Sequence, residues 1–217
     1  MTAVPAGRSS LASPAAMLHA SNLLTYSSLL VGLGAILAAL WYGENSLAGM
    51  GIALTVAIDT FDGRFARRFL RTADERAFGM QLDSLADAVN SGVVPIVVSM
   101  CLLRPTSIAE GGLWLAAVFL YLIGAVTRLG FYNLTHEANG FFVGLPAPVA
   151  ALLVATLMLW PLAVVPTTIL FFACGVAMVS PIRFPRPKGA GLLLFVLWSV
   201  AVVVSHLVLR SPSSFGQ

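Results

Sequence analysis

Ala57-Ile58-Asp59-Thr60-Phe61-Asp62-Gly63-Arg64-Phe65-Ala66-Arg67 and, after eleven intervening residues, Gly79-Met80-Gln81-Leu82-Asp83-Ser84-Leu85-Ala86-Asp87 hold four aspartates inside apolar sequence. The whole chain has only nine acidic residues, so nearly half of its negative charge is gathered here. Asp59 and Asp62 are i,i+3 neighbours, and Asp83 and Asp87 are i,i+4 neighbours; in helices each pair lines one face. An uncompensated carboxylate in hydrocarbon costs about 2.5–3.5 kcal/mol even on lenient insertion scales. Four together repel unless cations sit between them. The economical reading is a divalent-metal site at a membrane surface.

Working outward, the chain is 59% hydrophobic and 10% charged, where an ordinary soluble domain has roughly a quarter of its residues charged. Crossing a bilayer takes about 20 apolar residues. Seven such segments are read, near 20–42, 45–66, 80–103, 112–134, 146–161, 164–181 and 189–209. The expectation is an all-α, polytopic transmembrane helical bundle of six to eight spans. It forms one catalytic domain over 18–210, with a loose or interfacial lead-in at 1–17 and a tail at 211–217. A cleaved signal peptide is not expected, because the first apolar run is long and Arg8 is remote from it. Cys101 and Cys174 are isolated within spans, which excludes a disulfide framework or a zinc pattern. His19, His136 and His206 are scattered and read as interfacial or loop residues.

Basic residues orient the bundle. Arg8, Arg64, Arg67, Arg68, Arg71, Arg76, Arg128, Arg183, Arg186 and Lys188 fall toward one side, and only Arg104 and Arg210 fall opposite. By the positive-inside rule the first side is cytoplasmic, and the aspartates lie at that face. The net charge of +3 therefore marks topology and contact with anionic lipid. No clustered basic stripe suited to nucleic acid is present.

The second span is expected to continue as helix through Arg67-Arg68. A basic loop from Phe69 to Ala77 follows, with Asp74 and Glu75 solvated, and the third span starts near Phe78. Helices joined by so short a loop are antiparallel neighbours, so the two acidic pairs face each other. Further on, Thr127-Arg128 to Asn133 puts an arginine and an amide in the inner half of the fourth span. Phe142 to Pro148 reads as a turn with proline starting the fifth, and Ser180 to Lys188 as a proline-stiffened basic loop.

Two divalent ions about 3.5–4 Å apart, bridged by carboxylates, suit displacement at phosphorus. All-oxygen donors favour Mg2+ or Mn2+. Gly63 has no Cβ to keep a diphosphate from the backbone, and Arg67 can hold a phosphate oxygen. One aspartate less committed to metal can take a proton from an attacking hydroxyl. Structural salt bridges would not require four carboxylates focused on one spot, and Arg68 and Arg71 alone read as positive-inside anchors. An ion or proton transporter is the rival from another class, but transporters spread ionisable groups along a midplane path.

The pattern Asp59-x-x-Asp62-Gly63-x-x-Ala66-Arg67 … Gly79-x-x-x-Asp83-x-x-x-Asp87 resembles the signature of the CDP-alcohol phosphotransferases, with all eight signature positions filled. The resemblance implies an integral membrane enzyme that moves a substituted phosphate from a CDP-linked donor to an alcohol and releases CMP. It implies that Asp59, Asp62 and Asp83 bind the metal ions and that Asp87, also near them, is the general base. Arg67 and Gly63 would receive the diphosphate of CDP-diacylglycerol. Leu82 to Asp87 with Pro95, together with Arg128–Asn133, Phe142–Pro148 and Val179–Pro185, resembles the branch whose acceptor is L-serine. Glycerol 3-phosphate or an inositol phosphate is the alternative acceptor. A serine carboxylate needs a cation, and Arg128, Arg183 and Lys188 are candidates, although each also reads as a snorkelling anchor. Eleven residues separate Arg67 from Gly79 where the family usually has eight, and Arg76 stands where it often has Ser or Thr. Family analogy further implies a homodimer, in a bacterial inner membrane with the site facing the cytoplasm.

Overall fold

The structure, a computed structural model, describes residues 13–135, 141–185 and 189–209. Arg8, His136, Arg186, Lys188, Arg210, the 211–217 tail and most of the 1–17 lead-in lie outside the described residues; within the lead-in, Pro14–Met17 form a 3-10 turn. The described chain is helical at each of the seven expected segments. The helices are α1 (Leu23–Tyr42), α2 (Asn45–Ala66), α3 (Ala73–Asp87), α4 (Val94–Leu102), α5 (Ile108–Thr135), α6 (Ala147–Leu157), α7 (Val164–Val179) and α8 (Ala190–Leu209), with α3 running into α4 through a π-helical turn, Ala88–Val93.

Four helical runs are long and apolar enough to cross a membrane by length and composition: Ala20–Tyr42, Ala73–Leu102, Ile108–Leu134 and Ala190–Leu209. α2 is long but made polar at one end by Asp59, Asp62 and Arg64. α6 and α7 are shorter apolar helices. α6 stops before Pro161, whose ring nitrogen has no proton to give the preceding turn.

The core is built by close backbone approach rather than by large side chains. α2 is its centre, burying Ala48, Ile52, Ala53 and Val56 and packing on α1, α6 and α8. A Cβ on Gly51 would lie 2.6 Å from the Cβ of Ala35, so only glycine lets α1 and α2 come this close. α5 and α7 meet in the same way, Gly124 against the main chain of Gly175.

Three expectations are corrected. α2 ends at Ala66 and α3 begins at Ala73, so Arg67 and Arg68 lie in a turn and Asp74 and Glu75 lie in the first helical turn. The cause is a capping box. Thr72 N–H donates to Glu75 Oε2 at 2.7 Å and Glu75 N–H to Thr72 Oγ1 at 3.2 Å, which starts the helix about five residues early. His206 is not a loop residue. It is 1% exposed within α8, and its Nε2 donates to the Ala155 carbonyl at 2.9 Å.

The third correction is a small antiparallel ribbon in an otherwise helical protein: β1 (Phe141–Val143) pairs with β2 (Arg183–Pro185), Phe142 opposite Phe184. It ties the α5–α6 and α7–α8 connections together. Gly144, at φ 76°, follows it, its N–H donating to Ile182 O at 2.9 Å while Leu145 N–H donates to Ala177 O at 3.0 Å. A side chain at Gly144 would strike the Met178 carbonyl.

Candidate active site

α2 and α3 turn their acidic faces to a common space, and one cavity of about 150 Å3 is bordered by Asp59, Asp62, Asp83 and Asp87 together. Asp59 feels the charges of Asp62 and Asp83, Asp83 those of Asp87 and Asp62, and Asp87 those of Asp59, Asp62 and Arg128. Asp62 is buried and accepts from Thr25 Oγ1 at 3.2 Å. Asp59 Oδ2 is buried with no hydrogen-bond partner.

This set fits divalent cations on its chemistry. Every donor is a carboxylate or hydroxyl oxygen, the charges would repel if left bare, and one buried carboxylate oxygen is orphaned. Among the described residues, no three such groups are drawn around one point at ligand distance.

Two larger hollows open from the carboxylates, and Asp83 borders both. On one side, Asp62, Gly63, Arg67 and Gly79 meet Asn22 and Thr25 from the start of α1. On the other lies an apolar cavity of about 640 Å3, bordered by Asp59, Asp87 and Arg128 and walled by Phe142, Leu145, Phe184 and Phe195. Arg128 is 7% exposed. Its guanidinium lies over the rings of Tyr132 and Phe142, 5.4 and 5.3 Å from their centroids, and its Nε has no hydrogen-bond partner.

The expected residues therefore divide. Asp59, Asp62, Asp83, Asp87, Gly63, Arg67 and Arg128 border one connected space. Arg183 does not: it is exposed on β2 and stacks on Phe141 at 4.7 Å. Lys188 lies outside the described residues.

The sequence reading missed the contribution of α1. Asn22, Thr25 and Ser28 recur every third residue at the start of the first apolar segment, and all three are buried. That spacing is the available signal. Ser28 lies against Asp59 and accepts from Asn90 Nδ2 at 2.9 Å. α5 is tied to α3 at the same level, where Asn133 Nδ2 donates to Ser84 Oγ at 3.0 Å.

The sequence pattern of the CDP-alcohol phosphatidyltransferase family matches residues 18–183, which takes in α1 to α7, the four aspartates and the whole polar hollow. The chain belongs to that family. Among named members, it is 36% identical over 135 residues to the CDP-diacylglycerol–serine O-phosphatidyltransferase of Mycobacterium tuberculosis, covering 59% of this chain and 44% of that protein. It is 32% identical over 201 residues to the enzyme of the same name from Helicobacter pylori, covering 87% and 81%. An archaetidylserine synthase of Methanothermobacter thermautotrophicus is 29% identical over 150 residues, covering 69% and 62%. The chain thus spans less than half the length of its mycobacterial relatives and most of the Helicobacter one. Family membership and the four long apolar helical runs together make it an integral membrane protein.

Proposed function

We propose that this protein transfers the phosphatidyl group of CDP-diacylglycerol to the hydroxyl of L-serine and releases CMP. The observation that carries the reading is the position of Asp83, bordering a polar hollow with Arg67 on one side and an apolar one with Arg128 on the other. A lipid-linked nucleotide has these two ends, and its phosphorus must lie between them. The names of the relatives support serine: the lipid differs between diacylglycerol and its archaeal counterpart, while serine recurs.

In this reading Asp59, Asp62 and Asp83, with Asp87 beside them, hold two Mg2+ or Mn2+ ions. When bound, these supply positive charge to the diphosphate and to the developing transition state. Arg67 and the bare backbone at Gly63 receive the diphosphate. Asp87 accepts the proton of the serine hydroxyl, whose oxygen forms a bond to the phosphorus carrying diacylglycerol. The bond from that phosphorus to the CMP oxygen breaks, and CMP leaves with the electron pair. Arg128, held between two rings and lacking a partner at Nε, pairs with the serine carboxylate. The working orientation puts the site at the cytoplasmic face of a bacterial inner membrane, where soluble serine meets a lipid whose tails stay in the bilayer. The working assembly is a homodimer.

The deciding experiment is a CMP-release assay on purified protein with CDP-diacylglycerol and serine, glycerol 3-phosphate or an inositol phosphate, with and without EDTA. Serine-dependent, EDTA-sensitive release is expected. Release with another alcohol in place of serine overturns the acceptor, and ion flux in liposomes with indifference to CDP-lipid overturns the reading as a whole.

A further inference from the structure

The link between α2 and α3 is short and pinned. Arg67 caps α2, Thr72 caps α3, and the side chain of Arg76 reaches back to donate from Nη1 to the main-chain carbonyl of Arg71 at 2.7 Å. Thr72 is extended, with ψ 170°, because its side chain and N–H are engaged in the capping box. These two restraints fix the backbone at the carbonyl side of Arg71, and its side chain borders the polar hollow. A Cβ on Gly79 would lie 3.3 Å from Arg71 Nη1 and equally 3.3 Å from Asn22 Oδ1, so the guanidinium rests on the glycine that opens the α3 wall. Across the hollow, Arg67 Nη1 lies 3.9 Å from the corresponding point on Gly63.

Arg67 and Arg71 border the same hollow with Asp62 and Asp83. Neither makes a salt bridge among the described residues. Arg64 and Arg68, from the same basic run, are exposed and border none of the cavities described above. Two guanidiniums held about a small polar space, each over a residue without a side chain, leave room for a ligand that is compact, planar-binding at its oxygens and multiply negative. A ligand with one phosphate would satisfy one fork; a diphosphate satisfies both.

We propose that Arg71 is a second diphosphate-binding residue, closing on the nucleoside diphosphate of the donor from the side opposite Arg67, with Arg76 as the residue that positions it. This rests on the function proposed above. The link between the acidic helices then serves as part of the donor site, and donor binding is coupled to the cap that starts α3.

The test is calorimetric titration of the purified protein in detergent with CDP, CMP and cytidine, in Mg2+, comparing wild type with Arg71→Ala, Arg71→Gln, Arg71→Lys and the exposed control Arg68→Ala. The expected result is a weakening of CDP binding by about ten- to a hundredfold in Arg71→Ala and Arg71→Gln, the scale of a lost charged hydrogen-bonding partner. A smaller loss is expected for CMP, none for cytidine, partial recovery in Arg71→Lys, and wild-type affinity in Arg68→Ala. In turnover, Arg71→Ala raises the KM for CDP-diacylglycerol and leaves the KM for serine unchanged. Wild-type CDP affinity in Arg71→Ala and Arg71→Gln, at wild-type melting temperature, overturns the assignment while leaving the proposed function standing. Failure of the wild type itself to bind CDP overturns both.

Discussion

Tyr121 on α5 donates its hydroxyl to the main-chain carbonyl of Ser91 at 2.6 Å, thirty residues earlier in the chain. In an α-helix that carbonyl would receive the N–H of the residue four positions on, but that residue is Pro95, which has none. The chain widens here into the π-helical turn Ala88–Val93 directly after Asp87; such turns recur at functional sites. Tyr121 is wholly buried, so its phenol and the carbonyl satisfy each other. Tyr121→Phe leaves the carbonyl unpaired and is expected to cost about 1–3 kcal/mol, read as a lower melting temperature. CMP release should fall with it, because Asp87 is the last residue before the turn.

The same turn is fastened to α1. Asn90 gives its amide to Ser28, and Ser28 gives its hydroxyl proton to the Thr25 carbonyl at 2.9 Å. Ser28→Ala and Asn90→Ala should each destabilise the protein, and the double variant should cost less than their sum. A coupling of about 0.5–3 kcal/mol is expected for groups in direct contact. Additive losses in a double-mutant melting series would show that the two act independently.

Asp87→Asn keeps the shape of the side chain and removes its basicity. It is expected to fold as the wild type does and to lower CMP release by about 10²–10⁴-fold, the usual contribution of a general base. EDTA should stop turnover in the wild type, and added Mg2+ or Mn2+ should restore it. Full activity after stringent chelation would remove the metal ions from the proposal.

Arg128 and Arg183 are separated by their surroundings. Arg128→Ala should raise the KM for serine about tenfold or more, as expected for a lost charged hydrogen bond, with the KM for CDP-diacylglycerol little changed. Arg183→Ala, at an exposed strand position, should shift serine kinetics by no more than about twofold. A reversed order in steady-state kinetics would move the acceptor site out to the ribbon.

Gly144→Ala forces a side chain into a left-handed backbone conformation and against the Met178 carbonyl. The conformational strain alone is about 1–3 kcal/mol. The ribbon carries Phe142 and Phe184 into the wall of the apolar cavity, so the expected outcome is a lower melting temperature together with a raised KM for serine. Unchanged values for both would mean that the ribbon does not hold that wall.

The acidic pairs and their helices were legible because helical period is a local property. Asp59 with Asp62, and Asp83 with Asp87, must share a face wherever the helices go. The start of α3 was also encoded locally, in Thr72 and Glu75, but the basic loop composition hid it. His206 was misread because its burial depends on Gly49, whose missing side chain makes room for the ring.

From its residues alone the chain determined a membrane-spanning helical bundle, four inward carboxylates, and the family to which they belong, because charge in hydrocarbon is too costly to keep without a purpose. Tertiary structure alone decided which arginines meet the carboxylates, that α1 supplies their hydroxyl and amide neighbours, and that a π turn follows Asp87. Those depend on packing between segments tens of residues apart. Spacing along one helix says nothing about which side chain of another helix will fill the gap beside it.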